Sequence, residues 1–202
     1  MFTRPSNFTY GNYQIANIQK PNGELETNYL IQIQKYESQC LQMILGESLY
    51  ADLLANVELG GGKYWTVKTG SDAKWGKLVN GASYTGSCGN TVKWKGLVTK
   101  VATVAGVDII ESLAALYAFY YISLNERTLS TGVGEASLNG DNATQESSKN
   151  KRVDAWNELV QWVCFGFPNK DSVSLNQFLF DNKEDYLNAV TAHLKTLTYY
   201  DI

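Results

Sequence analysis

Residues 103–127 read TVAGVDIIESLAALYAFYYISLNER, and the period of their apolar side chains decides the fold. Ile110, Leu113, Leu116, Tyr117, Tyr120 and Leu124 recur at steps of three and four, the spacing of one helical face. Ala114, Ala115, Phe119 and Ile122 make most of the remaining circumference apolar. A helix that is apolar nearly all round belongs at the centre of a core. The spacing therefore predicts a central helix over residues 103–127. Its longest apolar run, LAALYAFYYI at 113–122, is shorter than the roughly 20 residues that cross a bilayer.

Downstream, residues 130–148 read STGVGEASLNGDNATQESS. Only Val133, Ala136, Leu138 and Ala143 are apolar, and Glu135, Asp141 and Glu146 face no base. A tract this long between helices is expected to be functional or disordered, so 128–147 reads as an extended polar loop. The helical pattern resumes in SSKNKRVDAWNELVQWVCFG with Val153, Trp156, Val160 and Val163. Ser147 or Ser148 can cap its start, and Gly166 with Pro168 ends it. In 168–202, SLNQFLF and DYLNAVTAHLKTL suggest one or two more helices, with Tyr186, Val190, Leu194 and Leu197 as the last stripe.

Upstream, a helix begins near residue 24, with Leu30, Ile33, Tyr36, Cys40 and Ile44 on one face and Leu41 and Leu45 beside it. Gly46 marks its end, and ESLYADLLANV restarts the pattern. Glu24, Glu26, Glu37 and Glu47 are expected on solvent faces. Residues 1–23, punctuated by Pro5, Pro21 and Gly23, read as an arm that packs on its own core or reaches a neighbour. Between 60 and 99 glycines cluster and aromatic residues appear. In TVKWKGLV, Val92 and Trp94 alternate with Lys93 and Lys95, as in a strand. KWGKLV at 74–79 is its expected partner strand across the turn-rich NGASYTGSCGN. GGG at 60–62 and TGSD at 69–72 form the entry. The expected fold is a single domain over 1–202. It is mainly α, a bundle of about four to six helices with an inserted β-hairpin and a long polar interhelical loop.

The chain is 44% hydrophobic and 18% charged, with a net charge of −3, which argues against a general nucleic-acid coat. The charge is uneven: seven lysines and one acid, Asp72, lie between Lys63 and Lys100, which suggests two faces with different partners. Cys40, Cys88 and Cys164 are odd in number and widely spaced, and read as free thiols in a reducing compartment. With no CxxC pair and only His193, a zinc site is not expected. The opening MFTRPSNFTYGNYQIAN has no apolar signal region, so synthesis and use in the cytosol, or in a particle assembled there, are expected.

The aromatic, lysine-rich segment admits three readings. It can be an amphipathic hairpin with tryptophans inward, a protein contact, or a single-strand binder using stacking and charge. GVGEASLNG departs from the phosphate-binding GxGxxG spacing and follows a helix rather than a strand. His193 has no G-x-S-x-G elbow to serve, and the acids near 141 lack the spacing of a calcium loop. No catalytic, metal or cofactor residue is assigned, and the chain is not expected to be an enzyme.

Three stretches, in order, resemble the head–tail connector proteins of tailed bacteriophages, in particular those of phages infecting Bacteroidetes and the crAss-like group. IQKYESQCLQMILGESLYADLL (33–54) is similar to their opening helix. KWGKLVNGASYT and NTVKWKGLV are similar to their inserted hairpin. SLAALYAFYYISLNERTLSTGVGEASLNGDNATQESSKNKRVDAWNELV is similar to their long helix, polar loop and returning helix. The resemblance spans roughly residues 30–165 and leaves the arm and the last stretch unmatched.

The resemblance implies a virion protein at the head–tail interface, assembled in the bacterial cytoplasm. Copies, commonly twelve, would form a ring docked on the portal and joined to tail or further connector proteins. Double-stranded DNA would pass through the lumen without sequence-specific binding, and no membrane is involved. Expected subunit, portal or tail contacts are Trp75, Trp94, Lys93 and Lys95 of the hairpin, and Val133, Glu135, Leu138 and Asp141 of the polar tract. The alternative is a nucleic-acid-binding accessory protein that uses the lysine- and tryptophan-rich hairpin.

Overall fold

The computed structural model describes residues 1–9, 12–15, 18, 26–60, 64–104, 107–125, 128–131, 134–137, 146–167 and 172–200; at 104, 107, 128–131, 134–137 and 146–148 it describes the backbone alone. In chain order the first elements are α1 (Ser6–Thr9), α2 (Thr27–Leu45), α3 (Glu47–Ala55), β1 (Val57–Gly60), β2 (Tyr64–Val67) and α4 (Ala73–Asn80). Next come β3 (Ala82–Thr85), β4 (Thr91–Trp94), β5 (Val98–Val104), β6 (Val107–Ser112) and α5 (Leu113–Asn125). The last are β7 (Thr128–Thr131), β8 (Gly134–Ser137), α6 (Glu146–Val160), a π-helical turn (Gln161–Phe165), β9 (Ser172–Val173) and α7 (Leu175–Asp181). The expected mainly α bundle is overturned. The described residues form a mixed α/β fold, with four small sheets beside the helices.

The helical centre follows the apolar stripes. α5 packs against both α2 and α6. Ile33, Tyr36, Cys40, Leu41, Ile44 and Leu45 of α2 are buried as their spacing requires. α5 buries residues on all sides, as expected for the middle helix. Aromatic rings lock the three together: Tyr36 stacks on Tyr121 at 5.2 Å, and Tyr117 lies 6.2 Å from Trp156. Gly46 (φ 79°) separates α2 from α3, and Gly166 (φ 75°) closes the π-helical turn, both in the left-handed region that glycine occupies at low cost.

The sheets and α4 correct three expectations. The expected helix over 103–127 is shorter at its start: residues 103–104 and 107–112 lie in β5 and β6, which pair antiparallel, and the helix starts only at Leu113. The segment VTKVATV and VDIIES is dense in β-branched residues, which are stiff in a helix and pack well on a pleated surface. KWGKLV is not a strand but the body of α4. Asp72 accepts a hydrogen bond from the Lys74 amide (3.0 Å) at its N-terminus, and Trp75, Leu78 and Val79 are buried at helical spacing. The hairpin is shorter than expected: β3 pairs with β4, and β9 joins β4 in parallel on its other side.

α4 and the segment after β4 touch backbone to backbone. The Leu78 carbonyl accepts from the Leu97 amide (3.1 Å) and from Trp94 Nε1 (3.0 Å). Gly96 has φ 96°, and a Cβ there would sit 2.6 Å from the Gly81 nitrogen. Gly96→Ala is expected to destabilise by at least about 2 kcal/mol, because both the backbone conformation and the contact are lost to a side chain. A thermal melt checks this; an unchanged melting temperature contradicts it.

The N-terminal arm packs on its own core, with Phe2, Phe8, Ile15 and Ile18 buried. Glu37, expected on a solvent face, is 1% exposed, and its carboxylate accepts from the Phe2 and Thr3 amides, both at 2.8 Å. Residues 182–200 form turns and irregular chain rather than the expected last helix. Two asparagines hold this strap through both amide atoms. Asn176 pairs with the Ala192 backbone N–H and C=O, and Asn157 with those of Leu197. Those bonds satisfy backbone groups that no helix or strand partner serves.

The three cysteines are free, with Cys88 exposed, Cys164 half-buried and Cys40 buried. Burial pushes the Cys40 thiol well above its ordinary pKa, so little thiolate forms there. Maleimide labelling followed by peptide mapping should modify Cys88 first, Cys164 more slowly, and Cys40 only in denaturant. Native-state labelling of Cys40 contradicts the packing.

Candidate functional site

Of the four residues between 73 and 95 expected to meet a partner, three turn inward and one faces out. Trp94 is 0% exposed and stacks on Phe178 at 5.4 Å. Trp75 is 4% exposed, its ring edge-on to Tyr186. Both are core residues rather than surface anchors, which matches the inward-tryptophan reading. Lys93 is exposed, paired in register with Ser83 and Ser172. Lys95 turns inward: its side chain is 12% exposed, its ammonium lies 2.5 Å from Glu111 and 3.8 Å from the centre of the Trp162 ring. Val133, Leu138 and Asp141 lie outside the described residues. Glu135 lies in β8 opposite Ser130, with only its backbone described. The structure thus brings Trp75, Trp94 and Lys95 into one packed region and leaves Lys93 on its outer face.

Sequence reasoning missed the second projection. β5 and β6 form a two-stranded ribbon whose base is fixed to the core by Ile110 and Ser112, both buried. Farther out, Val101, Ala102 and Thr103 are exposed. The register shifts between Lys100 and Ala102, so Val101 is an unpaired bulge residue, 48% exposed. Bulges re-aim side chains and end pairing. Lys100 (2.6 Å) and Thr103 (2.8 Å) both reach Asp108, and those bonds hold its carboxyl below the usual carboxylate range. Alternating β-branched residues were the available signal.

β7 and β8 form another two-stranded ribbon. It follows α5 as β5–β6 precedes it, so the central helix carries a ribbon at each end. Thirteen residues of helix separate the two attachment points by about 20 Å.

The strap and α7 expose apolar side chains. Phe180, Leu187 and Val190 line one shallow depression, and Phe165 lines the adjoining one, which shares Asn176 and Thr191 with it. Large exposed apolar patches mark interaction surfaces more often than bare solvent faces.

Among the described residues no helix is long and apolar enough to cross a membrane. Among the same residues no group of three or more His, Cys, Asp or Glu could hold a metal ion. Comparison with protein-family models, curated proteins and solved structures finds no match for the chain.

Proposed function

We propose that this chain is a structural subunit of a bacteriophage head–tail connector, a ring that docks on the portal, joins it to the tail and catalyses no reaction. The observation that carries the proposal is the pair of ribbons at opposite ends of α5. A ring subunit must touch its two neighbours and the layers above and below, and a spacer helix with a projection at each end meets that need. Head-to-tail contacts that close on themselves give rings. The apolar surface around Phe180 and Leu187 and the uneven charge along the chain support the same reading. The sequence resemblance supplies the class of assembly.

In this account the acidic tract around Glu135 and Asp141 faces the lumen. Repeated around a ring, its charge would repel DNA phosphates, where a basic wall would bind them by counterion release. The place of action is then the virion, after assembly in the bacterial cytoplasm. The nucleic-acid alternative has less support. Base stacking needs accessible rings, and Trp75 and Trp94 are inside the core.

A photo-crosslinking amino acid placed at Val101, compared with one at the exposed Asp52, tests the ribbon as a contact. Assembled material should give adducts with a second copy or with the portal from position 101 and none from position 52. Assembled rings with no adduct at 101 would overturn the ribbon's role.

A further inference from the structure

We infer that the groove between α6 and α7 is a peptide-binding groove, and that its occupant, residues 192–199, exchanges with the same segment of a second copy of this chain. In the structure the groove holds the chain's own strap. Asn157 Nδ2 donates to the Leu197 carbonyl (2.9 Å), while its Oδ1 accepts from the Leu197 amide (2.8 Å). Asn176 grips Ala192 in the same way, at 2.8 and 3.1 Å. Trp156 Nε1 donates to the Lys195 carbonyl (2.8 Å), and the Cys164 sulfur lies 3.5 Å from the Ala192 carbonyl oxygen. The Tyr199 hydroxyl closes the row by donating to Asp154 at 3.0 Å. Ala192 meets Cys164 and Tyr199 meets Asp154, so the segment runs antiparallel to α6.

All but the last of these contacts reach backbone atoms of the strap. Side chains that hold N–H and C=O groups are indifferent to which copy supplies them. Little else holds the strap: of residues 187–200 only Ala192 is buried, so release exposes little apolar surface. The chain before it is anchored at Tyr186, whose buried ring packs on Phe178 and Trp75 and whose hydroxyl donates to the Lys74 carbonyl (2.6 Å). Between that anchor and Ala192, residues 187, 188, 190 and 191 are exposed. This connection can reach about 17 Å when straightened. A neighbour's strap would make the same bonds as the resident one, which is why segment exchange is a low-cost route to association. The surroundings select a second copy over a free peptide. Phe165 and Phe180 are exposed beside the groove, and Leu187 (84%) and Tyr200 (96%) are exposed at the two ends of the strap. A neighbour's body brought up by the exchange would cover side chains that a single closed chain leaves in water. Exchange needs no portal, so it stands apart from the connector reading.

Two measurements on the full chain test the inference. In the first, isotopically light and heavy chains carrying benzoylphenylalanine in place of Tyr199 are mixed, irradiated and mapped by mass spectrometry. Adducts joining position 199 of one copy to α6 of another are expected, in a share that rises with concentration. Adducts confined to one copy at every concentration would overturn the exchange. In the second, a fluorescein-labelled peptide of residues 190–200 is titrated into the chain and followed by anisotropy. Leu197→Pro removes the N–H that donates to Asn157. Placed in the chain, it should loosen the resident strap and tighten peptide binding about tenfold; placed in the peptide, it should weaken binding about tenfold. No saturable peptide binding to either chain, or equal affinity for the parental and Leu197→Pro peptides, would overturn the groove.

Discussion

Deletion of residues 132–144 should leave a folded chain that no longer assembles. α5 ends at Asn125 and α6 begins at Glu146. The deletion leaves residues 126–131 and 145 between them, within the usual range for connections between packed helices. The α5 and α6 surfaces that bury Leu116, Phe119, Ala155 and Leu159 are untouched. Circular dichroism should therefore show the same helical signal, with a melting temperature within a few degrees of the parent, because loop length enters stability only weakly. Assembly should be lost altogether, since β8 and the acidic tract are gone and β7 has lost its partner. Normal rings from the deleted chain would discard the tract's role. A collapsed melting temperature would show instead that the tract supports the fold.

The largest stability effect is expected at Glu37. Its buried carboxylate takes the Phe2 and Thr3 amides, and these two bonds fix the start of the arm to α2. Glu37→Ala leaves two buried donors without acceptors and opens a cavity in the helix face. Each unsatisfied donor costs about 1–3 kcal/mol, so a loss of about 4 kcal/mol is expected. For a chain of this length that lowers the melting temperature by about 10 °C. Glu37→Gln keeps one acceptor oxygen but turns an amide donor toward the second N–H, so it should lose less. Hydrogen exchange at the Phe2 and Thr3 amides should accelerate in both variants. Parental stability in Glu37→Ala would mean that the arm is not held this way.

The arm's attachment narrows what it can do for an assembly. Phe2 meets Trp65 edge-on at 5.3 Å, Asn7 bonds the Ile110 carbonyl, and Tyr13 bonds Glu158. One segment therefore ties β2, β6 and α6 together. Of the two readings open for the arm, packing on its own core is the one these contacts support.

The helical centre was legible where side-chain spacing alone decides the structure. The stripe from Ile33 to Leu45 and the apolar circumference after Leu113 needed no partner to be recognised. Gly46 and Gly166 marked the ends because a positive φ is a local demand. What escaped notice depends on distant contacts. KWGKLV is short enough to satisfy either period, and the Asp72 cap with the buried Trp75–Leu78–Val79 edge makes it a helix. Ile110 continues the stripe of α5 in sequence yet belongs to a strand, because β5 supplies it with a partner. Glu37 lies on a helix as other glutamates do, and only the arm's backbone N–H groups explain its burial. Tyr186, Val190, Leu194 and Leu197 have helical spacing, but Asn176 and Asn157 satisfy backbone groups of that stretch in a non-helical form.

The same dependence governed the site. Alternation correctly set Trp94 against Lys93, but it could not say that a third layer, Phe178 of α7, would cover Trp94. Nor could it place Lys95 on Trp162, sixty-odd residues away in sequence. The ribbons at the two ends of α5 were hidden by reading one as helix and the other as loop.

Native mass spectrometry of the purified chain, alone over a concentration range and mixed with its portal ring, tests the central claim most directly. The account predicts a closed oligomer on the portal with a fixed copy number, lost when residues 132–144 are removed. A chain that stays monomeric at every concentration and leaves the portal's mass unchanged would contradict it.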